Sequence, residues 1–217
     1  MTDQVSLKGY KALALHGDGR GICTLVSSMF TFVAHDLGVW PSKTETSLVE
    51  VIPSQSNTSS IFILNVYSSP SDHRQRFKTI ITRATKLAGN SPLVVAGDFN
   101  APFHAWNYPH DTVKGTSLRQ EAGEAGLFLL TDPAFPTRQG TSSTRDSVPD
   151  LTFVKNAGSA VWSNLIMDLG SDHYIRATSL QVEQKRKKAF SVPDWDKFRE
   201  VRQARAARGE KPESLVQ

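Results

Sequence analysis

The sequence predicts an α+β fold of two packed, mostly antiparallel sheets with a few helices outside. Three observations lead there. Short apolar stretches rich in β-branched and aromatic residues recur along the chain, most of them joined by short turns. Few segments carry the apolar spacing of a helix. With so many apolar strand faces and so few helices, stacking one sheet on another is the natural way to cover them. The short connections also argue against a purely parallel sheet, whose neighbours need long crossovers.

In order, residues 1–20 read as an irregular lead-in ending in His16-Gly17-Asp18-Gly19-Arg20-Gly21. Those glycines resemble a phosphate loop only loosely, since no lysine follows at the required spacing, and a hairpin turn is the better reading. Ile22–Val26 and Phe30–Ala34 follow as strands, Trp40-Pro41 breaks the run, and Ser47–Ile52 is the next strand. Ile61–Tyr67 is nearly all apolar and reads as a buried central strand.

The clearest helix comes next, capped by Ser71 or Asp72, with Phe77, Ile80, Ile81, Ala84 and Leu87 on one face and Gly89-Asn90 as its stop. Pro92 resets the chain into the strand Leu93–Ala96. A loop, Pro102–Gly115, carries His104, Trp106, Tyr108 and His110. A second helix begins near Thr116-Ser117, with Leu118, Ala122 and Ala125 inward, and ends at Gly126. Leu127–Leu130, Asp150–Val154, Ala160–Met167 and Tyr174–Val182 read as strands, and Thr131–Val148 as a polar, turn-rich connection. The tail after Glu183 carries Trp195, Phe198 and Val201–Ala207, which suit a helix. The expected organisation is a body, 1–182, and a basic linker or tail, 183–217.

The length of 217 residues suits one domain with a tail, and an apolar content of 39% marks most of it as globular. A single cysteine, Cys23, excludes an internal disulfide framework and a multi-cysteine zinc site; in its apolar run it reads as a small buried side chain. No signal peptide or membrane-length apolar run is present, so the expected location is nuclear or cytoplasmic, not secreted. Asn57-Thr58-Ser59 is then a polar loop rather than a glycosylation site. The net charge of +4 lies in the tail: residues 1–182 hold 15 basic and 15 acidic groups, residues 183–217 hold 10 and 6. That excess describes a basic appendage, not a basic body. Lys185–Lys188 reads as a solvated linker ahead of a nuclear import signal.

The stretch Ser91–Pro102 has the shape of a site. A short apolar run rises to Gly97 and then presents Asp98 and, two residues on, Asn100. If the chain stays extended, both look to one side while Phe99 packs behind them. A strand running into an Asx turn explains the same residues as well. Polar groups recur in comparable places: Tyr67 at a strand end, Asp150 at a strand start, Asp172 and His173 between strands. Each has a structural explanation alone, and in this order they point to a shared site.

Four pieces carry a resemblance: Asn65-Val66-Tyr67, Gly97-Asp98-Phe99-Asn100, Asp150-Leu151-Thr152-Phe153 and Ser171-Asp172-His173. Together they resemble the endonuclease/exonuclease/phosphatase family, that of deoxyribonuclease I and exonuclease III. The phrasing is most similar to the endonuclease domain of non-LTR retrotransposon polyproteins, on Pro149–Phe153, Trp162-Ser163 and the connector Ser191-Val192-Pro193-Asp194-Trp195. The resemblance covers roughly residues 10–182.

It implies a four-layer α/β/β/α sandwich and divalent-metal-dependent hydrolysis of a DNA phosphodiester, a nick that opens target DNA for a reverse transcriptase domain C-terminal in the parent polyprotein. It implies Asp98 orienting and deprotonating the water, with Asn100 holding the water or the phosphate. His173 would donate to the scissile phosphate, Asp150 would pair with His173, and Tyr67 would contact the phosphate. Asp172 would help hold Mg²⁺ or Mn²⁺, which suit carboxylates and phosphates better than zinc does.

The family also opens with two strands, one carrying an asparagine and one ending in a metal-binding glutamate, and neither is found here. The fold is therefore expected with its opening strands missing, and the chain alone with little or no nuclease activity. Glu45 and Glu50 are the only glutamates before Tyr67. They lie around the strand Ser47–Ile52, Glu50 is expected to face solvent, and neither is expected to replace the missing ligand. Two other functions fit the same residues: a phosphatase of the same family acting on a small phosphorylated molecule, and a non-catalytic nucleic-acid-binding fragment that relies on its tail.

Overall fold

Ile61–Tyr67 forms the strand β5, and its alternation organises everything around it. Phe62, Leu64 and Val66 are buried on one face, while Ile61, Ile63, Asn65 and Tyr67 take the other. The computed structural model describes residues 7–15, 21–38, 43–54, 58–181 and 194–209. The expected turn at His16–Arg20, Trp40-Pro41, Asn57, Lys185–Lys188 and the expected connector Ser191–Pro193 lie outside them.

A six-stranded sheet runs in the order β3-β4-β5-β6-β8-β7. Its members are β3 (Thr31–His35), β4 (Glu45–Ile52), β5, β6 (Leu93–Asp98), β8 (Asp150–Lys155) and the short β7 (Phe128–Leu129). Only β5 and β6 pair in parallel, joined by a crossover helix; the other neighbours are antiparallel. Two hairpins supply the remaining strands: β1 (Tyr10–Leu15) with β2 (Ile22–Ser27), and β9 (Ala160–Asn164) with β10 (Arg176–Leu180).

The two faces of the large sheet have different partners. One packs against α1 (Lys78–Ala88) and α2 (Val113–Glu124) through a single core that includes Leu48, Leu64, Phe77, Ile80, Phe99, Leu118 and Phe153. Phe99 sits edge-on to both Phe77 and Phe153, at centroid distances of 5.4 and 5.8 Å. The other face meets the hairpins. Thr24 of β2 donates to Ser47 of β4 at 3.2 Å, and Asn65 of β5 donates to the Cys23 carbonyl at 3.4 Å. Val94, Val154 and Ala157 pack with Ala160 and Leu180 of the β9–β10 hairpin. Helices thus cover one side of the sheet and strands the other, as expected for the sandwich.

Several boundaries move. No side chain caps α1; Ser71 and Asp72 lie in a preceding turn, where the Asp72 amide donates to the Ser69 carbonyl. The orphan amide at Phe77 instead donates to the Glu121 carboxylate of α2 at 2.7 Å. Leu87 is exposed and Ala88 takes the buried position, since Ala88 continues the Ile81–Ala84 stripe at i+4 and i+7. The second helix starts at Val113, earlier than Thr116, because Thr112 caps it by accepting from the Gly115 amide at 3.0 Å. The strand near Ala160 stops at Asn164, since Ile166 and Leu169 adopt positive φ (55° and 51°). Cys23 is partly exposed rather than buried.

The chain divides into two compact units, Met1–Lys185 and Arg186–Gln217. In the second, Asp194 caps α3 (Trp195–Ala207), and every described side chain of that helix is exposed. No helix among the described residues is long and apolar enough to cross a membrane.

Candidate active site

The strand-facing side of the large sheet changes character along its length. Val49, Ile63, Val94 and Val154 stand in one row across β4, β5, β6 and β8. The next row but one is Ser47, Asn65, Ala96 and Thr152. The row after that is Glu45, Tyr67, Asp98 and Asp150. Paired residues on neighbouring strands share a face, so the surface runs from apolar through small and polar to acidic. The acidic end is where β5 and β6 finish and where β4 and β8 begin.

Gly97 makes this end possible. Its φ is 150°, and a Cβ there would come 1.8 Å from the Val66 carbonyl oxygen. Only glycine lets β6 approach β5 this closely just before Asp98. The strand ends at Asp98, so extension does not continue to Asn100. Asn100 has a left-handed φ of 44° and reaches the site through a turn: it hydrogen-bonds Asp98, and its Nδ2 donates to the Ser68 carbonyl at 3.3 Å. The side-by-side geometry is replaced by a turn geometry that brings the same two residues together. Phe99 is 1% exposed and packs behind them as expected.

Asp150 and His173 form a pair. His173 Nδ1 donates to Asp150 Oδ2 at 2.8 Å, which leaves Nε2 turned away from Asp150. That hydrogen bond raises the His173 pKa above the ordinary histidine value; burial opposes it, and the charges of Asp150, Asp98 and Asp172 add to it. Arg176 Nη1 lies 2.5 Å from the same Asp150 oxygen, so a nearly buried carboxylate carries two cationic partners. Asp98 shifts upward, first by burial and then by repulsion from Asp150, with His173 and Asn100 pulling the other way.

Asp172 has a different setting. It is half-exposed, and Arg138 Nε donates to its Oδ2 at 2.7 Å; His173 Nε2 lies 4.0 Å from its Oδ1. The guanidinium holds the Asp172 carboxyl below the usual range. Arg138 itself belongs to a bridge with both Ser147 and His173, so the loop between β7 and β8 folds against the His173 segment.

The structure therefore brings Tyr67, Asp98, Asn100, Asp150 and His173 together, with Asp172 beside His173. It adds Arg138, Arg176 and Lys114, which the sequence did not single out, and brings in Tyr108 of the aromatic loop. Arg138 and Arg176 gain meaning only from long-range pairing. Lys114 is 1% exposed and donates from Nζ to the Ser69 carbonyl at 3.0 Å; burial lowers its pKa to about 8. Tyr108 reaches toward the same end, where burial pushes its pKa up to about 12 despite a hydrogen bond to Ser147. The aromatic loop packs on its own scaffold: Trp106 is 1% exposed and donates to the Ala101 carbonyl at 2.7 Å. His104 is exposed and pairs with Asp111.

Glu45 is the largest departure from expectation. β4 begins at Glu45, not Ser47, and so places this glutamate in the acidic row beside Tyr67. Glu50 bonds His35 of the edge strand at 2.9 Å and is partly buried rather than solvent-facing.

A family model described as endonuclease–reverse transcriptase matches residues 61–177, more than half the chain. The chain belongs to the endonuclease/exonuclease/phosphatase family. Solved structures agree on the fold. The endonuclease domain of TRAS1, a telomere-specific non-LTR retrotransposon, superposes with a TM-score of 0.60 at 19% identity, covering 84% of this chain and 81% of that one. A truncated Caenorhabditis elegans TDP2 gives 0.54 at 15% identity, over 79% and 76%. The mannosyl-6-phosphatase Bt3783 of Bacteroides thetaiotaomicron gives 0.55 at 14%, over 82% and 77%. No curated protein matches the chain significantly.

Enzymes of this family are generally divalent-metal dependent. Among the described residues, no group of three or more His, Cys, Asp or Glu side chains is placed to hold a metal ion. Two carboxylate oxygens of the acidic row, Glu45 Oε2 and Asp98 Oδ1, are nevertheless buried with no hydrogen-bond partner. Buried acceptors left unmatched are costly, and a hard cation answers oxygen donors of this kind. Mg²⁺ keeps several waters and needs only one or two carboxylates beside a substrate phosphate, so this donor set fits it.

Proposed function

We propose that the chain is a divalent-metal-dependent phosphodiesterase that nicks DNA, in the manner of a retrotransposon endonuclease. The observation that carries the reading is the His173–Asp150 pair in the same acidic row as Asp98. A histidine whose Nδ1 donates to a buried carboxylate, which raises its pKa, can donate from Nε2 to a phosphoryl oxygen when charged. Asp98, held by Asn100, is placed to orient a water and accept its proton. Its upward shift makes it a better base than an ordinary carboxylate once ionised. Tyr67, between Glu45 and Asp98, would contact the phosphate, and Asp172 with Arg138 would flank it. When bound, the divalent ion would supply Lewis-acid charge stabilisation at the phosphate and the leaving oxygen. A parent polyprotein would place a reverse transcriptase domain after this one, as the matching family's description suggests.

The carboxylate set is thin for the family, so turnover is expected to be slow. Supercoiled plasmid with the purified chain in millimolar Mg²⁺ should accumulate nicked circles over hours. Asp98→Asn should lower the rate by about 10²-fold or more, within the range for a lost general base. Nicking that persists unchanged in Asp98→Asn would sink the proposal. Hydrolysis of p-nitrophenyl phosphate with no nicking would instead place the chain among the family's phosphatases.

A further inference from the structure

We propose that Glu45 is a direct ligand of the divalent cation, which lies beside Glu45 Oε2 with its waters reaching Asp98 Oδ1. The inference rests on the metal-dependent reading above and deepens it by assigning the direct ligand.

Three observations carry it. First, register: Glu45 pairs with Tyr67, and Tyr67 with Asp98, so the two carboxylates occupy one face with a single strand between them. Neighbouring strands are about 4.8 Å apart, which puts the two backbones about 10 Å apart. A glutamate and an aspartate leaning toward each other can approach a shared hydrated ion across that span. Second, satisfaction: Glu45 Oε2 and Asp98 Oδ1 are both buried without a hydrogen-bond partner. Several other polar groups around them have partners. Ser47 accepts from Thr24, Asn65 donates to Cys23 and Thr24, Thr44 donates to Ser68, and Asp150 meets His173 and Arg176. Two unmatched carboxylate oxygens on one face call for a cation. Third, competition: the other carboxylates within reach are already taken. Asp150 holds His173 and Arg176, and Asp172 accepts from Arg138. Asp172 is also half-exposed, and Arg138 holds it through Oδ2.

The position also explains why β4 opens on a charged residue inside a sheet. Glu45 has Tyr67 directly across the strand pair and the turn after β5 nearby. Its neighbour Thr44 donates to Ser68, which fixes the start of the strand against that turn. The β4–β5 register keeps the Glu45 Cβ on the acidic face beside Tyr67.

The test is Mn²⁺ binding to the full chain, measured by electron paramagnetic resonance or calorimetry without DNA, and by thermal unfolding with Mn²⁺ or with EDTA. Wild type and Glu50→Gln should bind Mn²⁺ alike, and Glu45→Gln should bind at least tenfold more weakly. In EDTA, Glu45→Gln should unfold about 2–4 °C higher than wild type, because an unmatched buried carboxylate has been removed. Its rise in midpoint with Mn²⁺ should be lost. Glu45→Gln binding Mn²⁺ as tightly as wild type would overturn the Glu45 assignment alone. Wild type that binds no Mn²⁺ would overturn both this assignment and the metal-dependent reading. If Glu45→Gln does not fold, Glu45→Asp replaces it: a carboxylate one methylene short should fold and bind Mn²⁺ more weakly, and unchanged affinity would refute the assignment.

Discussion

Lys114 shows how much of this site is held by groups that do no chemistry. Its side chain is buried in the body of the molecule, and its ammonium donates to the Ser69 carbonyl, two residues past Tyr67. It therefore ties the first turn of α2 to the turn that positions Tyr67 and Asn100. Burial lowers its pKa from 10.5 to about 8, with Asp72 and Asp98 partly offsetting the loss of water. Between pH 8 and 10.5 the unfolded chain keeps this proton and the folded chain has released it. Folding stability should accordingly rise with pH across that window. Urea unfolding at pH 7.5, 8.5 and 9.5 should show wild type gaining about 1–2 kcal/mol that Lys114→Met does not gain. Parallel curves for the two proteins would show that the ammonium is not buried as described. No local pattern announces such a lysine. It lies in a segment whose spacing suggests a loop, and its burial comes from α2 starting early.

At the scale of elements, the strands were legible because their apolar alternation is strong, and the site because Tyr67, Asp98 and Asp150 sit at strand ends, with Asn100 and His173 in the adjoining turns. Caps and starts were less legible. The sequence offers Ser71 and Asp72 as local caps for α1, yet the helix takes its acceptor from Glu121, 44 positions away. Glu45 was misplaced for a related reason: a polar Thr-Glu-Thr run reads as a loop, and only pairing with Val66 and Tyr67 pulls it into β4. Asn100 kept its place in the site while losing the extended geometry that suggested it. The α1–α2 contact gives a test. Glu121→Ala removes the acceptor of the Phe77 amide and leaves the first turn of α1 unsatisfied. The expected loss is about 1 kcal/mol, similar to losing a helix cap, read from denaturant midpoints with unchanged m-values. A loss below about 0.3 kcal/mol would mean that water replaces the carboxylate without cost.

For the whole molecule, the question is where affinity for a polyanion comes from. The body to residue 182 carries equal numbers of basic and acidic groups, and the proposed site lies at its acidic row. Arg138 and Arg176 are already paired with Asp172 and Asp150, so they offer less net attraction than their number suggests. The second unit is different. α3 buries none of its residues; Arg199 and Arg202 on it and Arg208 at its C-terminal cap face solvent, and Arg199 pairs with Asp196. If DNA is the substrate, this appendage should dominate non-specific binding while the acidic row decides chemistry. Affinity for a labelled duplex, measured by anisotropy between 50 and 200 mM salt, should fall steeply for the full chain. For a chain ending at Lys185, the slope of log K against log salt should be shallower by about 2–4, since each phosphate contact contributes about 0.9. The nicking rate at saturating plasmid should be the same for both chains, because every residue of the acidic row remains. An unchanged slope would move the DNA-binding surface back onto the body. A lost saturating rate would mean that the appendage takes part in the catalytic step as well as in binding.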